Sequence, residues 1–162
     1  MQRYLVALSV LALMLVPSMV HAQFKQGDWE LSLAGQGSND KNFETGAVSI
    51  QGNLGYFLTD QFELAIAQSI VWSDGGSSWS GGNIVSADYH FDLGNRWVPF
   101  VGANIGYSYG DEDSWIAGPE VGVKFFVNST TFVKVLASYE FDLNEGFDEG
   151  AFLYSLALGF RF

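Results

Sequence analysis

Bulky apolar side chains recur at every second position along most of this chain. The last stretch is the clearest: Phe152, Tyr154, Leu156, Leu158, Phe160 and Phe162 form one face, and Ala151, Leu153, Ser155, Ala157, Gly159 and Arg161 the other. From Trp97, the set Trp97, Pro99, Val101, Ala103, Ile105, Tyr107 and Tyr109 opposes Val98, Phe100, Gly102, Asn104, Gly106 and Ser108. A period of two is the signature of a β-strand with two different faces. Six more stretches repeat it, around Trp29–Ala34, Val48–Tyr56, Phe62–Trp72, Val85–Phe91, Glu120–Phe125 and Val133–Phe141. Turn residues separate them, so eight strands are expected.

Face chemistry selects the kind of barrel. A soluble ligand-binding barrel keeps bulky apolar groups inside and long charged groups outside. Here the less apolar face is mostly Gly, Ala, Ser and Asn, which suits a narrow lumen filled by side chains. The other face is large and aromatic, which suits lipid. The expectation is an all-β fold, an eight-stranded antiparallel up-and-down transmembrane β-barrel.

Connections give an orientation. Leu58–Gln61, Leu93–Arg96 and Val127–Thr130 are short, and they alternate with Asn39–Glu44, Ser73–Gly82, Gly110–Ser114 and Asp142–Glu149, mostly longer and more acidic. Short turns belong in the periplasm and longer loops outside. Both mature termini are then periplasmic. Trp29 and Trp97 fall at the turn ends of strands, and Trp72, Trp79 and Trp115 at the loop ends. That is the placement of an aromatic girdle at two membrane interfaces.

Composition narrows the remaining choices. Charged residues are 15% of the chain against about 25% in soluble domains, and aromatic residues reach 16%. A net charge of −11 excludes nucleic-acid binding through phosphates. The absence of cysteine excludes disulfides, thiolate metal sites, cysteine nucleophiles and a lipoprotein anchor. Residues 1–22 carry Arg3, an apolar core from Leu5 to Val16 and a Val20-His21-Ala22 cleavage pattern. This segment reads as a secretory signal peptide, leaving a barrel domain over residues 23–162.

The signal segment, the eight amphipathic stretches, the strand from Val98 to Tyr109 and the terminal Phe160-Arg161-Phe162 together resemble the small OmpA/OmpX-type outer-membrane β-barrels. The resemblance implies a bacterial outer-membrane protein, surrounded by membrane lipid and lipopolysaccharide. It also implies that Gly159, Phe160 and Phe162 are the terminal signal met by the barrel-assembly machinery. A monomer is expected, with no peptidoglycan-binding domain after Phe162 and loops shorter than those of the adhesin members.

Candidate chemistry is sparse. His90 is the one histidine outside the signal segment, and it is followed by Phe91-Asp92. It lacks the His-x-Ser spacing of the lipid A deacylases, and a triad needs base and nucleophile within hydrogen-bond reach. No catalytic, cofactor or metal residue is assigned. Glu30, Glu63, Asp88, His90, Glu120, Lys124, Lys134, Glu140 and Arg161 fall on the inward face. Buried charges must pair or stay hydrated, so they are expected to form a lumen charge network. Glu30 and Arg161 are expected to meet where the first and last strands close. The loop acids Asp40, Glu44, Asp74, Asp111, Glu112, Asp113, Asp142, Glu145, Asp148 and Glu149 lack the spacing of a calcium loop and read as a solvated rim. The expected function is a structural or interaction barrel without enzymatic activity. A narrow solute channel and a surface adhesion barrel are the alternatives.

Overall fold

The computed structural model describes residues 24–39, 46–73, 78–110, 113–144, 147 and 150–162. The expected signal peptide lies outside these residues, as do the loop acids except Asp113 and Asp142. Eight strands follow one another: β1 Trp29–Asn39, β2 Gly46–Phe57, β3 Phe62–Ser73, β4 Ser78–His90, β5 Trp97–Tyr109, β6 Ser114–Phe126, β7 Thr131–Asp142 and β8 Ala151–Arg161. Each pairs antiparallel with its neighbours, and β1 with β8, in a closed barrel. Closure removes the free edges that hydrocarbon would leave without hydrogen-bond partners.

Alternation survives in three dimensions. Leu31, Leu33, Ile50, Ile66, Val85, Val101, Ile105, Val121, Val135, Leu156 and Leu158 are all exposed on the outer surface. Their inward neighbours Glu30, Ser32, Ala65, Ser86, Asn104, Glu120 and Ala157 are buried. The sheet is therefore apolar outside and polar inside, the reverse of a soluble protein.

At one end the turns are tight and held by short polar side chains. Thr59 Oγ1 accepts from the Phe62 amide at 2.9 Å, Asp92 Oδ1 from the Gly94 amide at 2.7 Å, and Asn128 Oδ1 from the Thr131 amide at 2.8 Å. These are side-chain turns that replace backbone bonds. Gly94 has φ +67°, which favours glycine. We call this the turn end, and the opposite one the loop end.

The loop end differs from expectation at β4. Ser73–Gly82 reads as a loop, yet β4 already begins at Ser78. Trp79 pairs with Trp72 and Gly81 with Tyr109. A Cβ on Gly81 would sit 2.7 Å from the Tyr109 ring. This glycine is a place for an aromatic ring to lie flat on the sheet, and not a strand breaker.

The β1–β8 seam is the shortest pairing. It runs from Glu30↔Arg161 to Ala34↔Ala157, whereas β1 and β2 stay paired up to Asn39↔Gly46. The backbone of Phe162 extends the seam by one step, exchanging hydrogen bonds of 2.9 and 3.0 Å with Trp29.

Candidate functional site: the barrel lumen

The lumen has two unlike halves, and the N-terminal segment builds the first. Residues 25–28 turn under the barrel, with Gly27 at φ +94°. The Asp28 amide donates to the Lys25 carbonyl at 3.0 Å, and the Gln26 amide to Asp60 Oδ1 in the β2–β3 turn at 2.8 Å. Gly27 and Asp28 exchange backbone bonds with Phe57. These ties push Phe24 up into the turn end, where it is 3% exposed. Its ring stacks on Phe57 with centroids 4.0 Å apart, and meets Phe126 and Phe132 edge-on at 5.3 and 6.2 Å. Together with Val98 these rings fill the mouth of the barrel.

Directly above them lies a buried charge cluster. The Lys124 ammonium, 1% exposed, donates to Glu30 and to Glu63 Oε2, the latter at 2.8 Å. Lys134 Nζ reaches Glu30 Oε1 at 3.6 Å, and His90 Nε2 lies 3.4 Å from Glu63. The Lys124 ammonium also sits over the rings of Phe24, Phe57, Phe100 and Phe132, 4.9 to 5.6 Å from their centroids. An ammonium caged by π-faces and two carboxylates compensates its own desolvation. Three glycines make room. A Cβ would collide with the Glu63 carboxylate at Gly55, with the Phe100 ring at Gly122 and with the Phe132 ring at Gly159.

The second half opens upward. Above the charge cluster is a cavity of 510 Å³ walled by Ser32, Ser49, Gln51 and Ser69, with Asn104, Glu120 and Lys134 at its base. Asn104 Nδ2 donates to Glu120 Oε2 at 2.7 Å. Ser138 Oγ donates to Glu140 Oε1 at 3.2 Å. Asp88 and Glu120 are both paired with Gly102 across neighbouring ladders. The missing side chain at Gly102 leaves the space that the Asp88 carboxylate occupies.

All nine inward charges named from sequence are in or at the lumen, but one pairing differs. Glu30 and Arg161 are cross-strand partners in register, as the alternation implies. Their ion pairs go elsewhere: Glu30 to Lys124 and Lys134, and Arg161 Nη1 to Asp28 at 3.6 Å. The barrel is narrow enough that Lys124, on the far wall, reaches Glu30 across the axis, while Arg161 turns to the rim. The terminal residues divide by face: Gly159 is buried under Phe132, and Phe160 and Phe162 are exposed.

Trp29, Trp72, Trp79, Trp97 and Trp115 are exposed at the two strand ends. Trp97 neighbours Phe125 at 4.6 Å between ring centroids, and Trp115 neighbours Tyr107 at 5.3 Å. From Trp97 to Tyr107 along β5, ~3.4 Å per residue at ~40° of tilt gives ~26 Å of height, the thickness of an outer-membrane apolar band. His90 packs against Phe100 with ring centroids 5.2 Å apart, a setting for a structural imidazole. Among the described residues no group of three or more His, Asp or Glu could hold a metal ion.

Sequence reasoning missed Phe24, Phe57 and Phe132 as lumen residues. Phe57 and Phe132 keep the inward parity of β2 and β7, so extending each strand by one residue would have found them. Phe24 lies outside any strand and gave no periodic signal.

This architecture defines the class: a closed eight-stranded barrel with an apolar exterior and a polar lumen, the fold of small outer-membrane barrels. No protein-family model matches the chain. The chain is 28% identical over 130 residues to outer membrane porin F of Pseudomonas aeruginosa, an alignment that covers 68% of this chain and 37% of that protein. It thus spans little more than a third of that relative's length. The N-terminal β-barrel domain of Pseudomonas aeruginosa OprF superposes with a TM-score of 0.64 at 20% identity, covering 85% of this chain and 98% of that one. Pseudomonas aeruginosa OprG gives 0.61 at 14% identity, covering 86% and 97%. Yersinia pestis Ail in a bilayer nanodisc gives 0.58 at 11% identity, covering 84% and 99%. These likenesses establish the fold.

Proposed function

We propose that this chain is a structural and interaction barrel of the bacterial outer membrane, closed at its periplasmic turn end and without catalytic activity. The observation that carries the reading is the filled turn end: Phe24 stacked into the mouth beneath a Lys124 held by Glu30 and Glu63. Eight-stranded lumens are narrow, and side chains of this size leave no water column there. Residues 1–22 act as a cleaved export signal, and Gly159, Phe160 and Phe162 as the terminal signal for assembly. The tryptophans at both ends anchor the barrel at the lipid interfaces, with lipopolysaccharide around the loop end, and the protein acts as a monomer.

The second reading, a narrow solute channel, is favoured by the 510 Å³ cavity that occupies the loop-end half. The similarity to a porin points the same way. Planar-bilayer recording decides between them. The wild-type barrel should show no stable openings, whereas Phe24→Ala should show small intermittent ones. Large uniform openings from the wild type would transfer the assignment to the channel.

A further inference from the structure

The barrel wall is not continuous along its closing seam. In the lower part β1 and β8 pair residue for residue, from Glu30↔Arg161 to Ala34↔Ala157. In the same register the next partners are Gly35 and Leu156. Among the described residues neither this pair nor any higher one is formed. Both strands nevertheless continue, β1 on β2 as far as Asn39 and β8 on β7 as far as Ala151. Above Ala34 each strand thus keeps one bonded edge and turns the other towards its neighbour without a ladder.

Two further observations place an opening there. The outward side chains of β8 become barer where the pairing stops: Leu158 and Phe160 are 48% and 46% exposed, but Leu156, Tyr154 and Phe152 are 61%, 71% and 68%. A recess of 250 Å³ lies at the same place and is bounded from both faces of the sheet. Ser49, Gln51 and Ser155 have inward parity, whereas Gly35, Tyr154 and Leu156 have outward parity. A recess bounded by both faces of a one-layer wall is a slot through it. Ser49, Gln51, Tyr154 and Ser155 also line the 510 Å³ cavity, so the slot opens inwards onto it. Unladdered backbone at membrane depth persists where it borders a hydrated space, and the serine-walled cavity supplies one. From Trp29 to Gly35 along β1, the same rise and tilt give ~16 Å of the ~26 Å band. The slot therefore begins above the midplane and faces the outer leaflet.

We propose that the upper β1–β8 seam is a lateral binding slot for an uncharged single-chain amphiphile of the outer leaflet. The head sits in the loop-end cavity, and the tail passes out over Tyr154 and Leu156 into the lipid. The inner rim, Ser49, Gln51 and Ser155, offers groups that both donate and accept hydrogen bonds, which suits a hydroxylated head. The outer rim is apolar and suits the tail. Charge selects the head further. Glu120 and Glu140 line the cavity with Lys134, whose ion pair goes to Glu30 below. The remaining field is anionic and repels a carboxylate or phosphate head. The recess itself has the volume of about eight waters, enough for one alkyl chain near its root. The proposal rests on the outer-membrane placement of the barrel, and it stands whether or not the barrel conducts.

The chain has no cysteine, so introduced pairs report on the seam directly. In phospholipid nanodiscs under mild oxidation, Leu33→Cys with Leu158→Cys should cross-link readily, because these residues are paired. Gly35→Cys with Leu156→Cys, one outward step higher, should cross-link about ten-fold more slowly, because a disulfide needs Cα atoms within about 7 Å. Equal rates would close the slot and overturn the proposal. NMR of the full barrel in the same nanodiscs then follows the Gln51 side-chain amide and the Ser155 backbone amide. 1-Monolauroylglycerol should give saturable shifts, laurate should bind about ten-fold more weakly, and glycerol should give none. Gly35→Trp, at a position where a new Cβ meets nothing within 4 Å, should cover the outer rim and abolish the shifts. No response to 1-monolauroylglycerol would overturn the site. Glycerol acting as strongly would do so too, by showing that solutes enter from the loop-end mouth, and equal binding of laurate would remove the uncharged head. Should Gly35→Trp not fold, the three probes on the wild type decide alone. Failure of the slot leaves the outer-membrane reading standing, since the Leu33–Leu158 cross-link reports the folded barrel in lipid either way.

Discussion

The two halves of this lumen are made from the same alternating strands, yet they differ in almost every physical respect. The turn-end half is dry: rings from Phe24, Phe57, Phe100, Phe126 and Phe132 enclose one ammonium and its two carboxylates. The loop-end half holds a cavity walled by serine and other small residues, where Glu120 is bonded to Asn104 and Glu140 to Ser138. Alternation dictates which side chains point inward but not how far they reach. Phenylalanine at inward positions closes the turn end, and serine at equivalent positions opens the other. The difference teaches that one periodic pattern can line both a stopper and a cup through the volume of its inward residues, while Phe24, from outside the strands, completes the stopper.

The largest effect should come from Lys124. Removing it leaves Glu30 and Glu63 buried without their shared cation, which costs about 3–5 kcal/mol. Lys124→Met should therefore lower the urea midpoint of unfolding from lipid vesicles sharply. The triple variant Lys124→Met, Glu30→Gln, Glu63→Gln should recover part of the loss, because both carboxylates go with their shared cation and only Lys134, at the base of the cavity, loses its partner Glu30. A Lys124→Met barrel as stable as wild type would show that the turn end is wet, and the contrast between halves would collapse.

Phe24 comes next. Truncating a buried Phe costs about 3–5 kcal/mol in a core, and the lower figure applies at an end that can partly collapse. Phe24→Ala should destabilise by about 3 kcal/mol and speed hydrogen exchange at Phe57 and Phe126. Unchanged exchange there would mean the plug is not held in place.

Glycines give a paired test at smaller scale. At Gly122 a new Cβ would meet the Phe100 ring and the Val135 carbonyl. At Gly82, in the cup, the nearest atoms are Ser69 Oγ at 3.3 Å and the Tyr107 carbonyl at 3.6 Å. Gly122→Ala should cost about 1–3 kcal/mol through overpacking. Gly82→Ala should be close to neutral, since strands favour alanine over glycine. Similar costs at both positions, read from denaturant midpoints, would erase the packing difference.

How much of this was readable in the sequence follows from what each feature depends on. Parity is local, so the inward positions of Glu30, Glu63, Lys124 and Asn104 were legible from alternation alone. Register at the seam was legible too, because Glu30 and Arg161 lie at matched depth from their strand ends. The pairing of Lys124 with Glu30 was not. It joins residues 94 positions apart across the barrel axis, and that meeting depends on stagger and diameter, which no periodicity encodes. Phe24 was illegible for a related reason: its place is set by the Lys25–Asp28 turn and the bond from Gln26 to Asp60. The start of β4 was not legible, because a glycine that ends a strand and one that seats Tyr109, as Gly81 does, look the same in one dimension.

The smallest predicted effect isolates the closing seam, where expectation and structure part. The alternation places Glu30 opposite Arg161, but Glu30 spends its oxygens on the two lysines while Arg161 leans towards Asp28, with a fifth to a quarter of each side chain exposed. An ion pair so placed is screened by water and contributes about 0–1 kcal/mol. The Glu30–Lys124 pair is dry. A double-mutant cycle on Glu30→Gln and Lys124→Met should therefore give a coupling of about 1.5–3 kcal/mol. The cycle on Asp28→Asn and Arg161→Gln should stay below about 1 kcal/mol, and the cycle on Glu30→Gln and Arg161→Gln should fall lower still. A strong Glu30–Arg161 coupling would mean that Glu30 faces its strand neighbour in solution. Lys124 would then be held by Glu63 alone, and the boundary between dry and wet halves would have to move up the barrel to the level of Asn104.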